Sequence, residues 1–168
     1  MNSSGFQISA VSYKFSINKS DRDSIKDILG STGFFYDYEI EVAVEIADEY
    51  LEKENGNGYY FMAAIYEGRM IGFTCYGEIP CTKASYDLYW IGVHNDFRGK
   101  GIGIGLLQET EKHIVALSGE RVYIETSSTE KYAPTQGFYL RAGYTLEARL
   151  KDYYRDGDDK LMYAKVVG

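Results

Sequence analysis

The sequence predicts a mixed α/β fold, one central, mostly antiparallel sheet of about seven strands with four helices on its faces. Three observations carry this. A first strand is followed by two amphipathic helices in succession. Three strand-like runs then follow, joined by short turns. A helix long enough for a right-handed crossover separates the third of them from the next strand, which makes those two parallel.

The elements read in order. "VSYKFSI" (11–17) alternates as a strand should. "KSDRDSIKDILGSTG" offers Ser20 or Asp21 as a helix N-cap, Ile25, Ile28 and Leu29 at helical spacing, and a glycine stop. A second helix is expected from about Tyr38 to Glu54, with Ile40, Val44, Ala47 and Leu51 on one face. "YYFMAAIYEGRMIGFTCYGEI" reads as a hairpin turning at Glu67-Gly68-Arg69. "SYDLYWIGVH" is the next strand, followed by a glycine-rich segment and a helix running to Leu117, with Gly119 as its cap. "RVYIETS" is a strand, "APTQGFYLRAG" a short helix begun by Pro134, and "YTLEARLKDYY" and "KLMYAKVV" a final pair around "RDGDD". The 168 residues show no repeat, linker or low-complexity tract, so a single domain 1–168 is expected, with 1–10 as a flexible N-terminus.

Composition narrows the function. A net charge of −7 argues against nucleic acid and favours a cationic acceptor such as an amine. No apolar run approaches the roughly 18 residues that span a bilayer, and "MNSSGFQISA" has no signal-peptide pattern. A cytoplasmic protein with no membrane partner is expected. The two cysteines, Cys75 and Cys81, match no zinc spacing, and with two histidines no metal site is expected.

"RGKGIGIG" (98–105) is the most informative stretch. Strand, glycine-rich turn and helix make an anion site, because a helix N-terminus presents unpaired N–H groups and the positive end of a dipole. A P-loop would need GxxxxGK[ST], but here Gly99-Lys100 is followed by glycine. A dinucleotide fingerprint counted from Gly101 and Gly103 meets Leu106 where its third glycine belongs. Gly101, Gly103 and Gly105 keep side chains out of the approach, and Arg98 and Lys100 add positive charge.

Arg98-Gly99-Lys100-Gly101-Ile102-Gly103 resembles the R/Q-x-x-G-x-G/A turn of the GCN5-related N-acetyltransferases (GNAT), and "FYLRAGY" (138–144) resembles their later "FYxxxGF". The resemblance implies the GNAT fold, with acetyl-coenzyme A as cofactor and its pyrophosphate at residues 98–103. It implies that Ile91, Gly92 and Val93 offer main chain to the pantetheine arm, with a backbone N–H near Val93 as oxyanion donor. It also implies that the next strand splays away to admit the cofactor. Tyr139 stands at the family's tyrosine and is the expected acid for the departing thiolate. Two carboxylates compete as base, Glu125 in "YIETSS", which is favoured, and Asp87, six residues before Val93; ordered water is a third option.

The chain departs from the family's "NxxAxxFY" at Tyr132 and Thr135, and Lys160 stands where the similar ending of ribosomal-protein N-terminal acetyltransferases has alanine. The resemblance places the acceptor by the loop between the first two helices and by the last hairpin. Phe34, Phe35, Tyr36, Tyr153 and Tyr154 are expected as an aromatic wall, with Glu39, Asp156, Asp158 and Asp159 attracting a positive group. The acceptor is then the primary amine of a small molecule or a peptide terminus. A homodimer through edge strands fits the family. The alternative reading is a non-catalytic acyl-CoA-binding regulatory module, and a purely structural domain leaves the glycines unexplained.

Overall fold

In the computed structural model, which describes residues 6–53 and 57–168, asparagine rather than serine or aspartate opens the first helix. Asn18 accepts from the N–H groups of Ser20 and Asp21, and Asp21 accepts from the Asn18 N–H, a reciprocal capping box. The expected caps, Ser20 and Asp21, are therefore the second and third residues of the helix. Lys14 ties the arrangement to the preceding strand through a 2.7 Å ion pair with Asp21.

The elements follow the expected order. They are β1 (Ser12–Lys14), α1 (Lys19–Thr32), α2 (Asp37–Glu52), β2 (Tyr59–Tyr66), β3 (Arg69–Glu78), β4 (Ser85–Val93), α3 (Ile102–Ala116), β5 (Arg121–Ser127), α4 (Ala133–Arg141), β6 (Thr145–Arg155) and β7 (Asp158–Val166). The second helix ends at Glu52, and the expected end at Glu54 lies outside the described residues. The first strand is shorter than its sequence pattern suggests. The hydrogen-bonded strand order is β1-β2-β3-β4-β5-β7-β6. As expected for a crossover, β4 and β5 are parallel, and β7 rather than β6 lies beside β5.

Two compact units share the chain, residues 1–76 with 90–110, and 77–89 with 111–168. The first is organised by an apolar core in which Ile25, Ile28 and Leu29 of α1 and Ala43, Val44 and Ala47 of α2 pack with Phe61 and Phe73. That set is the helical stripe the periodicity predicts. It also explains two strand glycines. A Cβ on Gly72 would meet the Gly92 carbonyl oxygen at 2.9 Å, and a Cβ on Gly92 would press on Leu29, Ile28 and Phe73 at 3.1–3.2 Å.

In the second unit α3 ends differently from expectation. Ser118, not Gly119, takes the left-handed conformation, with φ +67°. Gly119 is needed for space, since a Cβ there would stand 2.4 Å from Ile114 Cγ2 and 2.7 Å from Tyr86. Behind it, Glu111 accepts from Tyr144 Oη at 2.9 Å and pairs with Lys165 at 2.7 Å, so the polar groups in this region satisfy one another.

Candidate active site

The glycine turn is shaped by backbone conformation before anything else. Gly99 and Gly101 have φ of +71° and +85°, a region that costs residues with a Cβ. Nothing lies within 4 Å of a Cβ built on Gly99, and only Ile8 Cδ1, at 3.9 Å, approaches one on Gly101. Both residues are exposed, and α3 begins immediately after them at Ile102. The first N–H groups of α3 therefore have no carbonyl of an earlier helical turn to bond. An exposed helix start reached by bare main chain suits the diphosphate of a coenzyme.

Gly105 belongs to a different class. A Cβ there would stand 2.0 Å from the Tyr13 hydroxyl, so its bareness makes room for the protein's own β1. The expectation that Gly105 clears the way for the ligand is corrected on that ground. Gly92 likewise makes room for α1. Arg98 lies with Cζ 5.1 Å from the Phe34 ring centroid. Lys100 donates to the Asp96 carbonyl at 2.8 Å, and its ammonium lies 5.1 Å and 5.3 Å from the Phe6 and Phe97 centroids.

The strand leading into the turn is anchored within the same unit. His94 gives its N–H to Ile71 O at 2.9 Å, and its buried ring accepts from the Asp96 N–H through Nδ1 at 3.2 Å. Asn95 N–H donates to Ser31 Oγ at 2.9 Å.

In the second unit the candidate acid and bases can be compared. Tyr139 is buried, its ring packed 5.9–6.1 Å from those of Tyr144 and Tyr163. Burial pushes its phenol well above the ordinary value, so the hydroxyl keeps its proton at any physiological pH. The β4–β5 pairing runs from Ser85↔Arg121 to Leu88↔Ile124, with Asp87 opposite Tyr123. Glu125, two residues beyond Tyr123, falls on the same face as Asp87 by strand alternation.

Glu125 is not an open carboxylate. Lys160 of β7 pairs directly with its Oε2, and the same ammonium lies 4.6 Å from the Tyr153 ring centroid. Burial lowers the Lys160 pKa, but the hydrogen bond and charge of Glu125 outweigh it and leave the ammonium more firmly protonated than usual. Asp87 is half-buried, and burial first, then the Glu125 charge, raises its carboxyl above the ordinary range, with Lys160 opposing. Sequence reasoning had noted Lys160 only as a departure; its partner follows from β7 lying next to β5.

The residues expected to form the acceptor wall fall into two groups. Tyr36 and Tyr38 are exposed and stacked at 5.6 Å, and Tyr153 and Tyr154 are exposed in an edge contact at 5.0 Å. Phe35 instead packs on the core beside Trp90, at 5.4 Å, and Phe34 lies under Arg98. The acids are largely committed to the fold. Glu39 accepts from the Tyr36 N–H at 2.8 Å as an α2 cap. Buried Asp158 accepts from Ser127 Oγ at 2.5 Å and faces Arg155. Buried Asp159 accepts from the Asp152 N–H at 2.8 Å and pairs with Arg149, which together hold its carboxyl below the usual range. Within the hairpin, Arg155 and Arg149 thus already answer the charges of Asp158 and Asp159. Among the described residues, no group of His, Cys, Asp and Glu is arranged to hold a metal, and no helix is long and apolar enough to cross a membrane.

A mixed seven-stranded sheet with parallel β4 and β5 and a left-handed glycine turn at the head of α3 defines a GNAT-type acetyltransferase fold. The chain belongs to the acetyltransferase (GNAT) family, whose model matches residues 23–144. It is 40% identical to a protein from Desulfovibrio desulfuricans assigned to that family, with a TM-score of 0.92 over 95% of this chain and 100% of that one. Two more distant structures share the fold. An aminoglycoside 6'-N-acetyltransferase complexed with coenzyme A is 19% identical, with a TM-score of 0.71 over 94% of this chain and 97% of that one. The N-acetyltransferase of a ribosomal-protein alanine from Escherichia coli is 15% identical, with a TM-score of 0.74 over 94% of each chain.

Proposed function

We propose that the chain is an acetyl-CoA-dependent N-acetyltransferase. It moves an acetyl group to the primary amine of a small molecule or peptide N-terminus by direct attack in a ternary complex. The carrying observation is the pair of left-handed glycines, Gly99 and Gly101, on an exposed turn at the start of α3. Residues 98–103 would hold the pyrophosphate through main-chain N–H groups, with Arg98 and Lys100 supplying charge. Main chain at Ile91, Gly92 and Val93 would hold the arm, and an N–H near Val93 would face the developing oxyanion. Acetyl-CoA, when bound, supplies the activated acetyl group.

The protein's own groups then handle protons. The acceptor ammonium must lose one before its nitrogen can attack, and the base should have a pKa near working pH. Asp87, raised by burial, suits that task better than Glu125, whose charge is answered by Lys160. At the other end Tyr139 Oη, still protonated, would give a hydrogen bond to the departing sulfur, which its raised pKa favours over complete proton transfer. Phe34, Phe35, Tyr36, Tyr153 and Tyr154 are the residues this reading assigns to the acceptor.

Calorimetry with acetyl-CoA, paired with thiol release over a panel of amines, tests this. Micromolar binding and amine-dependent release are expected. Binding without release on any amine would favour the acyl-CoA-binding module, and no binding would reject both.

A further inference from the structure

We propose that Lys160 is a positioning residue acting through Glu125. Its ammonium, held on β7 against the β5 carboxylate, sets the net charge beside Asp87, and with it the pH at which the acceptor's proton can be taken. This rests on the reading of Asp87 as base.

The arrangement comes from strand register. Glu125 is paired with Met162 across β5 and β7, and Lys160 with Ser127, so Lys160 lies one diagonal step from Glu125 on a common face. Asp87 joins that face through its pairing with Tyr123. Lys160 is largely enclosed, its side chain 13% exposed, while Glu125 is 51% exposed. An enclosed ammonium that meets a carboxylate on one side and the Tyr153 ring on another is held in place.

The groups around Asp87 can be named by element. From β5 come Glu125 and Tyr123, and from β7 comes Lys160. From β6, Tyr153 adjoins Lys160, and Tyr154 feels Glu125, Tyr153, Asp158 and Tyr132. On β3, Glu78 accepts from Tyr86, the neighbour of Asp87, at 3.1 Å. Of these, Glu125 and Lys160 act on Asp87 with opposite signs. The pair leaves Asp87 close to a neutral surrounding, and removing either member unbalances it.

The test is the pH dependence of kcat/KM with the amine that the wild type uses best. Lys160→Met should move the acidic limb up by about 0.5–1 unit, so that the rate below the limb falls roughly 3–10-fold. Glu125→Gln should move it down by a similar amount and retain turnover. Lys160→Arg, which keeps the charge, should restore the wild-type profile. Carboxyl NMR of Asp87 in the same proteins gives a readout independent of turnover, and acetyl-CoA affinity checks that each variant is folded.

An unmoved limb and an unmoved Asp87 midpoint in folded Lys160→Met would overturn the role of Lys160 while leaving acetyl transfer intact. Complete loss of turnover in folded Glu125→Gln would make Glu125 the base and overturn it too. If the wild type transfers to no amine, acetyl transfer fails, and the Asp87 midpoint alone decides the charge arrangement.

Discussion

The glycine turn and the carboxylate cluster are built on opposite principles. The turn presents main chain: Gly99 and Gly101 have no side chain, and Lys100 donates to the Asp96 carbonyl of its own loop. The cluster presents side chains from β4, β5 and β7, with Glu125 and Lys160 acting on Asp87 in opposite senses. A main-chain site is fixed by a few consecutive residues. A side-chain site exists only once distant strands have paired. The first should therefore fail abruptly when altered, and the second by degrees.

The largest effect is expected at the turn. Gly99→Val or Gly101→Val forces a β-branched residue into a left-handed conformation. Losing two or more main-chain contacts to a diphosphate should weaken acetyl-CoA by roughly 100-fold or more in calorimetry. Gly105→Ala is the matching control. It pushes only on the far end of the Tyr13 side chain and should change stability by about 1 kcal/mol or less, while affinity stays within a few-fold. Equal affinity losses in the two classes would erase the distinction between them.

Next comes Tyr139→Phe, which removes a proton and little volume. It should lower kcat by about 10- to 1,000-fold with acetyl-CoA affinity retained. Unchanged turnover would return Tyr139 to the status of a packing residue among Tyr144 and Tyr163. Gly72→Ala should be felt in stability, by about 1–3 kcal/mol in denaturant melts, because the obstacle is the Gly92 carbonyl rather than a movable side chain.

The smallest effect separates charge from packing at Asp87. Its carboxyl is raised in the fold, so its protonated form is favoured there relative to the unfolded chain. That contribution is complete below the unfolded pKa and is lost as pH rises through the folded one. Asp87→Asn should accordingly raise the melting temperature by roughly 1–3 °C at neutral pH and by almost nothing in acid. A rise of equal size at both ends would point to packing.

The same contrast explains what the sequence disclosed. The element order and the Ile25–Ile28–Leu29 and Ala47 stripe followed from periodicity, a local property. The turn followed from the spacing of its glycines. Local competition misplaced the caps. Asn18 outcompeted Ser20 because it could exchange bonds with Asp21, and Ser118 took the left-handed position because Gly119 was required for space. The acids of "RDGDD" were expected to attract a positive group, because Ser127 and Arg149 reach Asp158 and Asp159 only when β5, β6 and β7 lie together. Lys160 was visible as an unusual residue, but its partner was not. Nothing in the linear order announces that the last strand inserts beside β5.

One feature of the first unit reaches further than packing. Helix α1 rests on Gly92 through Ile28 and Leu29, and its Ser31 hydroxyl receives the amide of Asn95, just upstream of the turn. The helix and the strand end thus behave as one mechanical piece. A change in the segment after α1, where Phe34 meets Arg98, therefore has a direct physical route to the glycine turn.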